Sequence, residues 1–374
     1  MKKDLLMWDE TLFRDVEVFE IDYIPEQFNH RDSQIRELAF NVKPGMKGAR
    51  PLNTICRGLP GTGKTTSIKK LFGEIEEQTK RLIPVYVNCQ IDNTKFAIFS
   101  QIYKKLTSRP PPASGTSFKN LFDMVCKLVT EKEAVLLVCL DDANYLLYEK
   151  EINKVLYTLL RSHESNEGVR IGVITIISDM NVDLMQEVDQ RVSSVFRPSE
   201  IYFAPYDGTE VFDILKERVM QGLYPGVLSN SMLELIVEQT MKSGDLRVGI
   251  DLLKRSALNA EMDARHEVEE NDICRAYLVS KYIHLSHTVK TLSDDEKKLL
   301  KTLAEMSLGE KEMSAGLVFE EIKKKTETGY TRYYEMIKKL DSMRLINLNY
   351  REGKGRTRLI TLRYDPGRII AILP

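Results

Sequence analysis

The stretch RGLPGTGKTTSIKKLF, Arg57 to Phe72, decides how this chain is read. Its GLPGTGKT segment fits G-x-x-x-x-G-K-[ST] in full, with Gly58, Gly63, Lys64 and Thr65 at the fixed positions. An apolar run, Asn53–Arg57, precedes it and reads as a strand. A helix follows, with Ile68, Leu71, Phe72 and Ile75 along one face. In that context the motif is a phosphate cradle. The loop through Gly58, Pro60, Gly61, Thr62 and Gly63 lets backbone N–H groups close around phosphate oxygens. The helix start at Lys64, Thr65 and Thr66 adds a partial positive charge. Lys64 is expected on the β/γ-phosphates of a nucleoside triphosphate, and the Thr65 hydroxyl on Mg²⁺.

Working outward, apolar strands and helical stretches alternate over residues 50–205. Candidate strands are Asn53–Arg57, Leu82–Asn88, Val135–Leu140, Ile171–Ile177 and Glu200–Phe203. Such alternation predicts an α/β fold with a parallel sheet covered on both faces. The run VLLVCLDD ends in Asp141 and Asp142, at the sheet edge where ligands of a P-loop site are held. Asp141 is expected to hold Mg²⁺, directly or through water. Asp142 is expected to orient or deprotonate the attacking water. SRPPPASGTS, Ser108 to Ser117, interrupts the pattern as a proline- and glycine-rich loop.

From about Tyr206 to Ser286 the pattern is helical. SMLE, Ser231 to Glu234, reads as a capping box, and Gly244–Ala264 as a long amphipathic helix. A third unit opens at the capping box SDDE, Ser293 to Glu296. Helices over about Ala315–Lys325 and after Gly329 follow, then LINLNY and RLITLRY around REGKGRT. Three helices and a glycine-turned hairpin make the winged-helix plan. The expected domains are thus 1–205, 206–288 and 289–374.

At 374 residues the chain exceeds one ordinary core. No run approaches the ~20 apolar residues of a membrane span, and the acidic turn of MKKDLLMWDE does not suit a signal peptide. Five cysteines, Cys56, Cys89, Cys126, Cys139 and Cys274, include no C-x-x-C pair and suggest a reduced, cytoplasmic chain. His284 and His287, three apart on a helix, lack partners for a metal site. Net charge is −1, but from Lys323 onward 13 Lys and Arg face 5 Asp and Glu, a local balance of +8. A basic terminal module on an acidic body predicts an anionic partner.

The ordered series DYIPEQFNHRDSQIRELA, RPLNTICRGLPGTGKT, LDDANYLL, DQRVSSVFRPSEIYFAPY, ILKERV and GDLRVGIDLLKRS resembles the archaeal origin-recognition/cell-division-control replication initiator family. The likeness covers nearly the whole chain. It implies an AAA+ ATPase core, a helical lid and a C-terminal winged helix, with ATP or ADP and Mg²⁺ as ligands. Arg247 in GDLR matches the family's second sensor arginine, which touches the γ-phosphate. Arg191 in DQRV matches the arginine offered to a neighbouring subunit's ATP. Tyr206 and Arg218 match positions near the adenine and the lid, and His30 and Arg31 an N-terminal element beside the base. Two departures stand out. The family has Asp-Glu where this chain has Asp141-Asp142, and an asparagine first sensor where IISDMN places Ser178. A shorter carboxylate and a hydroxyl in place of an amide both predict slow hydrolysis.

The expected recognition helix is TGYTRYYEMIKKLDSMR, with Thr331, Arg332 and Tyr334 near its start and Lys338 further along. Arg351, Lys354, Arg356 and Arg358 make a basic wing suited to phosphates of double-stranded DNA. The resemblance implies an ATP-switched initiator that binds origin DNA, helps recruit or load the replicative helicase, meets copies of itself on DNA and associates with the nucleoid. Two other readings remain: a non-hydrolysing, nucleotide-bound DNA-binding regulator or scaffold, and an AAA+ enzyme acting on proteins.

Overall fold

In the computed structural model, strand β3 (Val135–Asp141) is buried along its whole length. With β1 (Thr54–Arg57), β2 (Leu82–Asn88), β4 (Arg170–Ile177) and β5 (Ser199–Tyr202) it builds a parallel sheet ordered β2-β3-β4-β1-β5. The structure describes residues 11–373, except 27, 113–114, 181, 291, 310–312, 327–328, 344 and 351–357, and except the side chains of 281–284, 287, 342, 349 and 350. The chain divides into two compact units. One is Ile21–Ile214 with Gly244–Leu246; the other is residues 11–20, Leu215–Ser243 and the chain from Arg247 onward.

In the sheet unit the period-2 alternation of β3 separates two cores. Leu136, Val138 and Leu140 pack with α3 (Lys95–Thr107), α4 (Phe118–Glu131), α6 (Ile152–Leu160) and α9 (Gln190–Phe196). Val135, Leu137 and Cys139 face the other way, onto α1 (Asp32–Met46) and α2 (Lys64–Gln78). The α2 stripe is the one legible in sequence: Ile68, Leu71, Phe72 and Ile75 are all buried. Short helices α5 (Asn144–Tyr148), α7 (Ser162–Ser165) and α8 (Leu184–Glu187) fill the connections. The five strands lie within a residue of the expected spans. Cys56, Cys89, Cys126 and Cys139 are buried thiols; Cys274 is exposed, and none is paired.

The second unit begins in α10 (Gly208–Gly222), which runs across the division at residue 214. It continues through α11 (Asn230–Ser243), α12 (Leu246–Met262) and α13 (Glu270–Lys290). Residues 11–20 strap this bundle. Glu261 accepts from the Thr11 hydroxyl at 2.7 Å and the Leu12 N–H at 2.6 Å, and Lys254 pairs with Glu20 at 2.5 Å. The capping box expected at Ser231 does not form. Ser229 sits two residues earlier, and its hydroxyl accepts from the Met232 N–H at 3.3 Å. Its carbonyl accepts from Leu233, so the helix starts before Ser231 can cap it.

At Ser293 the capping box does form and starts α14 (Asp294–Leu308). Helices α15 (Ala315–Lys323) and α16 (Tyr330–Ser342) follow, then the antiparallel pair β6 (Ile346–Tyr350) and β7 (Arg358–Leu362). Their shared core includes Leu299, Leu303, Val318, Tyr333, Ile337, Leu340 and Ile360. Helix α17 (Pro366–Ile372), which the sequence reading leaves out, closes the chain. Asp365 caps it, and Ile369 and Leu373 enter that core.

Candidate nucleotide-binding site

The loop between β1 and α2 is built on left-handed glycines. Gly61 has φ +74° and Gly63 φ +87°, a region that side chains rarely enter. A Cβ at Gly63 would lie 2.5 Å from the Tyr206 hydroxyl and 3.2 Å from the Phe28 ring. One at Gly61 would collide with the Asp245 carboxylate and lie 2.8 Å from its Cγ. Lys64 is 4% exposed, and its ammonium donates to the carbonyls of Gly58 and Leu59 at 2.8 Å each. The Thr62 hydroxyl donates to Leu59 O, which ties the turn to itself. Thr66 lies in the first turn of α2 and Pro60 at the exposed tip of the loop.

Beside this loop, Asp141 ends β3 at 5% exposure. Its Oδ2 accepts from the Thr65 hydroxyl at 2.8 Å and the Tyr86 hydroxyl at 2.6 Å, and its Oδ1 from the Asp142 N–H at 2.9 Å. Burial, and then the Asp141 charge, push the Tyr86 phenol far above its ordinary value. Tyr86 therefore stays a donor. Asp142 has φ +51°, a left-handed conformation that Asp tolerates better than most residues. Its Oδ1 accepts from the Ser178 hydroxyl at 2.9 Å and its Oδ2 from the Gln90 amide at 3.3 Å.

Arg31 stands behind the loop, 3% exposed. Its guanidinium donates to Thr62 O at 2.9 Å, His30 O at 2.7 Å and Ala204 O at 2.7 Å, and lies 3.6 Å from the Tyr206 ring centroid. These bonds brace the loop through the carbonyl of Thr62. Burial pushes the Tyr206 phenol up to about 12, with Arg31 opposing the shift. His30 adopts φ +65°, and its ring reaches Asp213 at 3.3 Å and Glu210 at 3.9 Å.

The sheet unit thus gathers the P-loop, Asp141, Asp142, Ser178, His30, Arg31 and Tyr206. Arg191 opens α9 with its side chain 77% exposed, 3.2 Å from Asp189. Arg218 and Arg247 belong to the helical unit. There Arg218 is buried and donates to Val18 O at 2.8 Å, and Arg247 lies exposed in the first turn of α12. Tyr86, Gln90, Phe28 and Asp245 were missed in sequence. Tyr86 and Gln90 follow only from the pairing that sets β2 beside β3, with Asn88 opposite Asp141. Asp245 carried a signal, since it stands two residues before Arg247 in GDLR.

On α16, Thr331 and Arg332 are exposed, and Arg332 lies 3.6 Å from Glu335. Arg358 donates to the Tyr334 hydroxyl at 2.8 Å, and Lys338 lies 4.7 Å from that ring. The Arg358 bond, helped by its charge, lowers the Tyr334 phenol below its ordinary value. Lys339 instead turns inward to Glu296, 3.0 Å away. Arg351, Lys354 and Arg356 lie outside the described residues, as do the side chains of His284 and His287. The 108–117 loop joins α3 to α4.

A model of the AAA domain matches residues 49–179, and one described as the Cdc6 AAA+ ATPase-type lid domain matches residues 212–278. The ORC1-type DNA replication protein 3 of Haloarcula marismortui is 46% identical over 98% of this chain and 97% of its own length. The chain belongs to the ORC1/Cdc6-type DNA replication initiator family. ORC1-type DNA replication protein 2 of Methanosarcina mazei is likewise 46% identical, over 99% and 98% of the two chains. Among solved structures, the Aeropyrum pernix ORC2 protein in ADPNP–ADP complexes superposes with TM-score 0.75 at 26% identity, covering 97% of each chain. The Aeropyrum pernix ORC1 protein in complex with DNA gives 0.73 at 24%, covering 98% and 97%. The ORC1/Cdc6 fold, a five-stranded AAA+ sheet with helical partners, is the one described above. No described helix of this family member is long and apolar enough to cross a membrane.

Proposed function

We propose that this initiator binds Mg²⁺-ATP at the P-loop, binds duplex DNA with its C-terminal module, and uses the bound nucleotide as a switch for origin binding and helicase recruitment. The contact that carries the nucleotide reading is Thr65 Oγ1 to Asp141 Oδ2, 2.8 Å apart. A hydroxyl and a carboxylate sharing one point beside a glycine cradle fit a divalent cation that also needs phosphate oxygens. The left-handed Gly61 and Gly63 fit the phosphates themselves. Bound magnesium supplies charge neutralisation for the phosphate chain. Tyr86 donates to the same Oδ2 and helps fix the Asp141 carboxylate. Arg31 holds the loop carbonyl of Thr62, so that the N–H groups stay aimed.

We assign Asp142 the role of accepting a proton from water; Ser178 and Gln90 each donate to one of its oxygens and compete with water there. That supports slow turnover and a switch rather than a motor. The same observation favours a second reading, a regulator or scaffold that keeps its nucleotide and loads no helicase. Exposed Thr331 and Arg332, and the Tyr334–Arg358–Lys338 cluster, support duplex binding. So do the DNA complex of the Aeropyrum pernix ORC1 protein and the ADPNP–ADP complexes of its ORC2 protein. Arg191, exposed in the first turn of its helix, suits contact with another copy on DNA. Arg247 is assigned to the γ-phosphate, Arg218 to the lid, and a nucleoid-associated location goes with DNA binding.

Chromosome-wide mapping of the bound protein tests the reading. Occupancy concentrated at replication start regions supports the initiator. Occupancy only elsewhere supports the regulator, and no duplex binding at all contradicts both.

A further inference from the structure

Asp245 is buried, 6% exposed, and its carboxylate lies where a Cβ of Gly61 would go. It reaches that place from Gly244, a left-handed residue at φ +66°, and it directly precedes α12. Gly61 belongs to the loop whose N–H groups receive phosphates, three residues before the lysine that reaches the β/γ-phosphates. A carboxylate packed on an anion cradle works against the cradle's own charge. Arg31, holding Thr62 O, and Lys64 favour anions there; the charge of Asp245 opposes them. At close range in a poorly solvated site the repulsion grows with each negative charge on the ligand.

We infer that Asp245 is a specificity-determining residue that sets how strongly the site prefers a nucleoside triphosphate over the diphosphate. The γ-phosphate adds negative charge, so the carboxylate weakens the triphosphate more than the diphosphate. The affinities of the two are thereby held close together, which lets either state be populated at cellular concentrations. Asp245 lies two residues before the sensor arginine Arg247. The carboxylate that feels the phosphates and the arginine assigned to them are thus adjacent in one chain segment. This inference rests on the nucleotide-binding reading above.

The experiment measures binding of fluorescent ATP and ADP analogues, with Mg²⁺, to the full chain and to Asp245→Asn and Asp245→Ser. Asn and Ser both suit the position before a helix as Asp does; Asn keeps the shape of the side chain and removes its charge, whereas Ser removes the charge and shortens it. Each is expected to tighten the triphosphate about tenfold, and the diphosphate by less than about threefold, for the loss of one screened unit charge. A purely structural role would not split the two ligands. Unchanged or uniformly weakened binding in variants that melt like the parent overturns the inference. So does loss of the folded state in both variants, because the carboxylate would then be holding the chain together. Failure of the parent chain to bind either analogue removes the nucleotide reading as well; normal parent binding with no split in the variants removes the Asp245 inference alone.

Discussion

The Ser178 hydroxyl donates to Asp142 Oδ1 across 2.9 Å, joining the end of β4 to the turn after β3. These are the two positions at which the chain departs from the pattern of the family it resembles, and they touch. A carboxylate and a hydroxyl meet here through one hydrogen bond, so the two positions are expected to act as a pair. Restoring both, Asp142→Glu with Ser178→Asn, is expected to raise ATP turnover at least about tenfold over the parent, roughly 1.4 kcal/mol of barrier. Either single change should give less than half of that gain, because each alone breaks the contact. Phosphate release under single-turnover conditions measures it. Equal rates in all four proteins would remove Asp142 and Ser178 from the rate-limiting chemistry.

Arg31→Ala leaves the carbonyls of Thr62, His30 and Ala204 without their shared donor. Hydrogen bonds to a charged group contribute a net of about 1.5–3 kcal/mol each and are not additive, so a loss of about 2–4 kcal/mol is expected for the set. Arg31→Lys should recover little, since one ammonium cannot serve three carbonyls spread around a planar fork. Thermal melting reads the effect, and nucleotide affinity should fall with it.

Tyr206 rises from its ordinary value to about 12 through burial. A phenol that binds its proton more tightly folded than unfolded stabilises the fold fully below about pH 10, and that stability is lost as pH climbs toward 12. Up to about 2 kcal/mol depends on this one group. Tyr206→Phe should flatten that part of the alkaline stability profile. Tyr86, raised by burial and Asp141, leaves a residual slope.

Lys339 on α16 and Arg358 on β7, both basic, are expected to behave differently. Lys339 pairs with Glu296, a carboxylate only 5% exposed, so Lys339→Ala should lower melting temperature without changing the salt dependence of DNA affinity. Arg358→Ala should keep the fold and reduce the slope of log affinity against log salt by about one. Identical slopes for parent and Arg358→Ala would place the phosphate contacts elsewhere.

The sheet was legible because buried parallel strands are continuous apolar runs such as VLLVCL, and the P-loop because its glycine and lysine spacing is dictated by phosphate geometry. The stripe Ile68, Leu71, Phe72 and Ile75 was equally plain, since a helix buried on one face repeats every 3.6 residues. What escaped depends on neighbours distant in sequence. Tyr86 and Gln90 join the site only once β2 pairs with β3, and the three carbonyls that Arg31 holds come from positions 30, 62 and 204, two of them far from it in sequence. The cap at Ser229 is not readable in sequence, because SMLE two residues on has the capping-box pattern and Ser229 does not. Helix α17 is not legible in sequence, because seven residues make about two turns and show no repeat of a 3.6-residue period.

The most direct measurement is the affinity of the full chain for a replication-start duplex with a non-hydrolysable ATP analogue and with ADP. A nucleotide switch predicts affinities at least about tenfold apart, and no difference between the two in Lys64→Ala. Equal affinities in the parent chain, with both nucleotides shown to be bound, would contradict it.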